Sequence, residues 1–147
     1  MHIGAILQNK GTTVHSIQPH STLVELVDLM LSLRVSSLIV LTGGGQLAGI
    51  VTERDLVRTL QKSPSTWMTA RVEEVMTRDL FVASPDDQLD KIITEMTARH
   101  IRHVPVLDGT RVAGVLSMRD LVAAAMSELA RHNLMLKRYI EDWPKEG

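Results

Sequence analysis

The sequence predicts a mixed α/β (α+β) protein in which one unit, a small three-stranded sheet with flanking helices, is built twice and the two copies pack face to face. Three observations predict it. The chain repeats itself at an offset of 65 to 66 residues, helical spacing gives way to short apolar runs inside each copy, and a Ser-, Pro- and Thr-rich stretch separates the copies.

The repeat is clearest in GIVTERDLV, from Gly49 to Val57, and GVLSMRDLV, from Gly114 to Val122. Glycine, hydroxyl, arginine, aspartate and the closing Leu-Val keep their places at an offset of 65 (Gly49 to Gly114). Upstream, Leu23, Leu26, Val27 and Met30 answer Leu89, Ile92, Ile93 and Met96, and Pro19 answers Pro85, at an offset of 66. The single-residue difference falls where Gly43-Gly44-Gly45-Gln46 faces Asp108-Gly109-Thr110-Arg111, a turn, where length changes are tolerated.

Each element follows from its own pattern. A short strand is expected at Val14 to Ile17 and again at Leu80 to Ala83. Apolar positions at i, i+3, i+4 and i+7 in Leu23 to Met30 and in Leu89 to Met96 form one stripe of an amphipathic helix. Thr22-x-x-Glu25 suits a capping box in the first copy, and Ser84-Pro85-Asp86-Asp87 offers a cap and acidic first-turn residues in the second. Two apolar runs around a glycine turn then read as a hairpin: Leu38 to Leu41 with Leu47 to Val51, and Val104 to Leu107 with Val112 to Leu116. A second helix follows from about Glu53 to Gln61 and from about Met118 onward. The expected division is a first repeat over 1–61, a linker over 62–71, a second repeat over 72–128 and a helical extension over 129–147.

Composition narrows the function classes. A chain of 147 residues, 44% of them apolar, buries roughly two-thirds of the surface its unfolded form exposes. With no cysteine, neither a disulfide framework nor a thiolate metal site is available. Met1 to Lys10 lacks the pattern of a signal peptide, and no stretch reaches the ~18 consecutive apolar residues of a membrane span, so a cytoplasmic protein without membrane attachment is expected. A formal charge of −1 and only 3% aromatic residues argue against nucleic acid as a partner.

The layout, the apolar-Gly-apolar-apolar-[Ser/Thr]-x-x-Asp signature present twice, and Val72-x-x-Val75-Met76-Thr77 resemble tandem cystathionine-β-synthase (CBS) domains, the Bateman module, over nearly the whole chain. The resemblance implies a pseudo-two-fold pair with two clefts that take adenosine-containing ligands: AMP first, with ATP, ADP, NAD or S-adenosylmethionine as alternatives. It also implies a homodimer and a separate effector protein.

The motif suits a nucleoside. A carboxylate at a helix start, Asp55 or Asp120, accepts both hydroxyls of a ribose, while Thr52 or Ser117 beside free backbone N–H groups, with Arg54 or Arg119, meets a phosphate. Simple helix capping is the alternative for both aspartates. The family's crossed arrangement would gather Ser117, Arg119, Asp120, Arg102 and His103 at the phosphate, with Thr12, Val35, Ser36 and Ser37 near the base. Its mirror would gather Thr52, Arg54, Asp55, Arg34, Thr77 and Arg78. The first is better equipped, because Ser36 and Ser37 carry no charge where Arg102 and His103 do, and Ile39 stands where the second copy has Pro105.

Other signals point away from chemistry. Gly43-x-Gly45-x-x-Ala48 fits the loose dinucleotide pattern but joins strand to strand, which makes it a hairpin turn. His100 and His103 sit beside Arg99 and Arg102, which suits phosphate better than a metal cation. No serine lies in a G-x-S-x-G elbow, and no catalytic residue is assigned. Finally, Met126, Leu129, Asn133, Leu136, Ile140 and Trp143 recur at alternating steps of three and four before Pro144, either packing on their own domain or pairing two chains. The expected function is a ligand-sensing regulatory module; the alternatives are a dimerisation adaptor with vestigial clefts, or an NAD(H) or S-adenosylmethionine sensor.

Overall fold

Each repeat places its hairpin over its own first helix, and helix, hairpin and helix follow in the same order in both. The computed structural model describes residues 1–11 and 13–144. Helix α1 (Ile3–Lys10) leads in to β1 (Ser16–Ile17), α2 (Leu23–Leu33), β2 (Ser37–Leu41), β3 (Leu47–Thr52) and α3 (Glu53–Lys62). A 3₁₀ turn at Trp67–Thr69 precedes α4 (Val72–Val75), α5 (Leu89–Ala98), β4 (His103–Asp108), β5 (Arg111–Ser117) and α6 (Met118–Glu141). Strand β2 pairs with β3 in antiparallel register, Ser37 opposite Thr52, and β1 adds to β2 in parallel. The second sheet holds β4 and β5, His103 opposite Ser117. The third strand expected at Leu80 to Ala83 shrinks to a single parallel bridge from Ala83 to Val106.

Helix starts depart from expectation in one informative way. Thr22 accepts the Glu25 N–H at 3.2 Å, the forward half of the expected box. In the second copy, however, Ser84 to Asp87 do not cap: α5 begins after Gln88, and Asp87 Oδ2 instead accepts the Ser84 N–H at 2.7 Å in a turn upstream. That turn presents carbonyls to another helix. Pro85 and Asp87 accept the N–H groups of Gly4 and Ile3, both at 2.9 Å, which satisfies the free first-turn donors of α1. Pro19 and Ser21 do the same for Glu73 and Val72 of α4, at 3.0 and 2.8 Å.

Each lead-in helix therefore docks on the repeat that it does not precede. Ile3, Ile6 and Leu7 are buried with Leu89, Ile92, Met96, Val104 and Leu116 in the second core. Val72 and Met76 are buried with Leu23, Leu26, Leu38, Val40 and Val51 in the first. The first ten residues, expected with the first repeat, thus complete the core of the second. A repeat of this size cannot cover its own sheet and helix, and the exchange supplies the missing apolar face.

Candidate functional site

The two hairpins end at the same region of the molecule, and their following helices start there. Thr52 and Ser117, the last strand residues, are the N-caps of α3 and α6. At α6 the box is reciprocal: the Asp120 N–H donates to Ser117 Oγ at 3.1 Å, and the Ser117 N–H donates to Asp120 Oδ2 at 2.8 Å. At α3, Asp55 Oδ2 accepts from the Thr52 N–H at 2.9 Å and from its hydroxyl at 3.2 Å. Both aspartates therefore do serve as helix-end acceptors, but through Oδ2. Among the described residues, Oδ1 of Asp120 has no protein partner, and Oδ1 of Asp55 has only Arg58 at 4.0 Å.

Asp55 is 8% exposed, the one buried charged residue among those described. Asp120 carries a second partner, the ammonium of Lys10 at 2.7 Å. Burial pushes the Asp120 carboxyl up, but hydrogen bonds from Lys10 and from Ser117, with the attraction of the Lys10 charge, outweigh it and hold the pKa below the usual value. His103 is shifted down, first by burial, then by the Lys10 charge, against the opposing pull of Asp120 and with a further push from Arg102.

Two cavities of about 790 and 730 Å³ open on these helix starts. The first is lined by Ser117 and Arg119 from the second repeat, by Val35, Ser36 and Ser37 from the first, and by Arg102 and His103 between them. Asp120 is fixed beside it by the Ser117 box, and its Oδ2 also accepts from Lys10, itself a lining residue. The second is lined by Thr52, Arg54 and Asp55, by Thr77, and by Ile101, Arg102 and His103. Ser36, Arg102 and His103 face both cavities. Thr12 lies outside the described residues.

Two residues stand elsewhere than expected. Arg34, assigned to the mirror cleft, lines the first: it adopts a left-handed conformation, φ 56°, at the C-cap of α2, which turns it to the same side as Val35 to Ser37. Its counterpart His100, φ 55°, takes the corresponding place in the second cavity. Arg78 is not part of the second lining; its guanidinium donates to the Glu73 carbonyl at 3.1 Å and so closes the end of α4. Among the described residues no three metal-capable side chains come together.

Sequence reasoning missed Lys10 and His15 in the first cavity and Asp79 and Phe81 in the second. The signal was present. Ile3-x-x-Ile6-Leu7 and Val72-x-x-Val75-Met76 are a further repeat at an offset of 69 (Ile3 to Val72), which makes the segment after each a cleft wall. Phe81 is stacked under the Arg99 guanidinium, 4.7 Å from its ring centre, and Arg99 also pairs with Glu95 at 3.3 Å.

Comparison with known proteins agrees with this geometry. The pattern of the CBS domain matches residues 11–62 and 72–127. A CBS domain-containing protein of Arabidopsis thaliana, CBSX3, mitochondrial, is 31% identical over 147 residues, covering 95% of this chain and 71% of its own. A crystal structure of a CBS-domain containing protein from Agrobacterium tumefaciens superimposes with a TM-score of 0.81 at 27% identity, over 85% of this chain and 99% of that one. A CBS domain pair crystallised with 5′-methylthioadenosine and S-adenosyl-L-methionine shares the fold, with a TM-score of 0.72 at 24% identity over 87% of this chain and 98% of that one. Two matched segments, two hairpins ending in capped helices and two exchanged lead-in helices make one conclusion: the chain belongs to the CBS-domain family, as a tandem pair.

Proposed function

We propose that the chain is a regulatory module that binds an adenosine-containing ligand in the clefts between its repeats and does no chemistry on it. The observation that carries this reading is the meeting, at the first cavity, of the α6 start, whose carboxylate Asp120 is bonded to the lining residues Lys10 and Ser117, with the basic segment Arg102–His103 and the opposing segment Val35–Ser37. Asp120 Oδ2 is taken by the cap and by Lys10, which leaves Oδ1 to accept ribose hydroxyls. Arg102, Arg119 and the α6 N-cap Ser117 line the same cavity, and a phosphate there gains charge-assisted hydrogen bonds. That a CBS pair of this fold is solved with two adenosyl compounds supports the nucleoside class. AMP is the first candidate, followed by ATP, ADP, NAD and S-adenosylmethionine. Binding becomes a signal when the ligand prefers one arrangement of the two repeats, and the output passes to another protein.

A thermal-shift series with AMP, ADP, ATP, NAD, NADH and S-adenosylmethionine tests this, since a ligand that binds only the native state raises the melting temperature. The expected result is a rise with at least one of them that is lost in Asp120→Ala. Because Asp120 is half of a capping box, alanine also lowers stability by about 1 kcal/mol, so Asp120→Asn, which keeps an acceptor, separates binding from folding. No rise with any ligand would overturn the reading.

A second reading, a dimerisation adaptor, is favoured by one observation. From Leu129 to Glu141 every residue of α6 is exposed, Leu129, Leu136 and Ile140 among them. A free helical stretch of this length is marginal in water. The heptad seam ending at Trp143, with Asn133 at an inner position able to pair with itself, fits a second copy of the same helix.

A further inference from the structure

Lys10 stands at the end of α1 and makes two bonds into the first cleft, to Asp120 Oδ2 at 2.7 Å and to the Val115 carbonyl at 3.0 Å. The corresponding place in the other half is built differently. There α4 stops at Val75, and Thr77 pairs with Ile50 in both directions, donating to its carbonyl at 2.8 Å and accepting its N–H at 3.0 Å. Ile50 answers Val115 in the repeat, so the carbonyl that receives a main-chain N–H on one side receives an ammonium on the other. The residue answering Lys10 in the second lead-in, at the same offset of 69, is Asp79, which lines the second cavity. At this sequence offset the two clefts therefore carry residues of opposite charge.

The rest of each lining follows the same division. The first cavity presents Lys10, Arg34, Arg102 and Arg119 and no carboxylate among its lining residues. The second sets Glu53, Asp55 and Asp79 against its arginines. The Lys10 side chain is 44% exposed, on a flexible four-carbon stem, so its ammonium can swing from Asp120 to an incoming anion without moving the helix. Its charge already reaches His103 on the opposite wall.

We propose that Lys10 makes the first cleft select a phosphorylated adenosyl ligand over a sulfonium-bearing one, its ammonium meeting phosphate while Asp120 holds the ribose. This rests on the nucleoside reading above. A sulfonium would meet the charges of Lys10, Arg34, Arg102 and Arg119 there, whereas a phosphate gains a charge-assisted hydrogen bond.

The test titrates wild type, Lys10→Met and Lys10→Arg with adenosine, ATP and S-adenosylmethionine, following methyl NMR signals of Leu7 and Val115 for the first cleft and Ile50 for the second. Lys10→Met is expected to weaken ATP at the first cleft by about 10-fold or more, to leave adenosine within about 2-fold, and to be rescued by Lys10→Arg. S-adenosylmethionine is expected to leave the Leu7 and Val115 signals of wild type unmoved. Equal loss for adenosine and ATP, an unchanged ATP affinity, or S-adenosylmethionine binding at Leu7 and Val115 as tightly as ATP would each overturn the selector role while the nucleoside reading stands. Silence toward both adenosine and ATP in wild type would overturn both together. Lys10→Gln replaces methionine if the latter disturbs the methyl spectrum of the unliganded protein.

Discussion

His103 faces both cavities and is held neutral to lower pH than in the unfolded chain, first by burial and then by the Lys10 charge. The unfolded state therefore binds more protons as pH falls through the ordinary 6.5 toward the folded value. Stability is lost in that window on acidification. His103→Gln should flatten the decline, read as melting temperature in steps between about pH 7 and about pH 5.5; parallel curves would show that burial does not suppress protonation. A bound phosphate reverses the balance, since an anion beside the ring favours imidazolium. Affinity for a phosphorylated ligand should then rise on acidification, with proton uptake measurable by calorimetry in buffers of different ionisation enthalpy, and His103→Gln should remove the uptake. Asp120 has linkage of the same sign at lower pH: its depressed pKa gives stability present above the unfolded carboxylate value and lost as pH falls through the folded one.

At the scale of elements, the exchange of lead-in helices explains why a glycine opens the same position of β3 and β5. A Cβ on Gly49 would stand 2.6 Å from the Thr77 carbonyl oxygen and 2.9 Å from Met76 Sδ. One on Gly114 would meet Leu7 Cδ2, also at 2.6 Å. The obstacles differ in kind. Thr77 is fixed by its two bonds to Ile50, whereas Leu7 presents the end of a side chain that can rotate. Gly49→Ala should cost about 1–3 kcal/mol in urea unfolding, and Gly114→Ala visibly less. Equal costs would mean that Leu7 is as rigid as the backbone. Both glycines were legible as parts of the repeat, but not as contacts, because their neighbours lie in the other half of the chain.

At the scale of the whole molecule, two cores are joined by those exchanged helices and by a shared wall of cleft residues. Helix α6 packs Leu121, Ala124 and Ala125 on the second core and then leaves it. The seam that fits either its own domain or a second copy is thus uncovered by its own domain: Met126 is 67% and Ile140 72% exposed. Pairing through α6 predicts that Leu136→Glu shifts the sedimentation profile toward monomer with little change in the monomer's unfolding midpoint. A profile identical to wild type would remove α6 as the pairing surface. Among the described residues no helix is long and apolar enough to cross a membrane.

The sequence by itself determined what depends on neighbours along the chain. Helical stripes, hairpin turns and the Ser/Thr-x-x-Asp helix starts are local patterns, so the elements, their duplication and the two aspartates could be read directly. Only the tertiary structure decided what depends on which half each segment docks against. A lead-in helix has the same amphipathic spacing whichever core it covers, so nothing local assigns Ile3 and Leu7 to the second repeat. That docking brings Lys10 to Asp120, 110 residues away, and sets Asp79 in the second cleft. The charge of each cleft is therefore a property of the crossing between the halves, because an ammonium acts on the carboxylate that it touches rather than on those nearest in sequence.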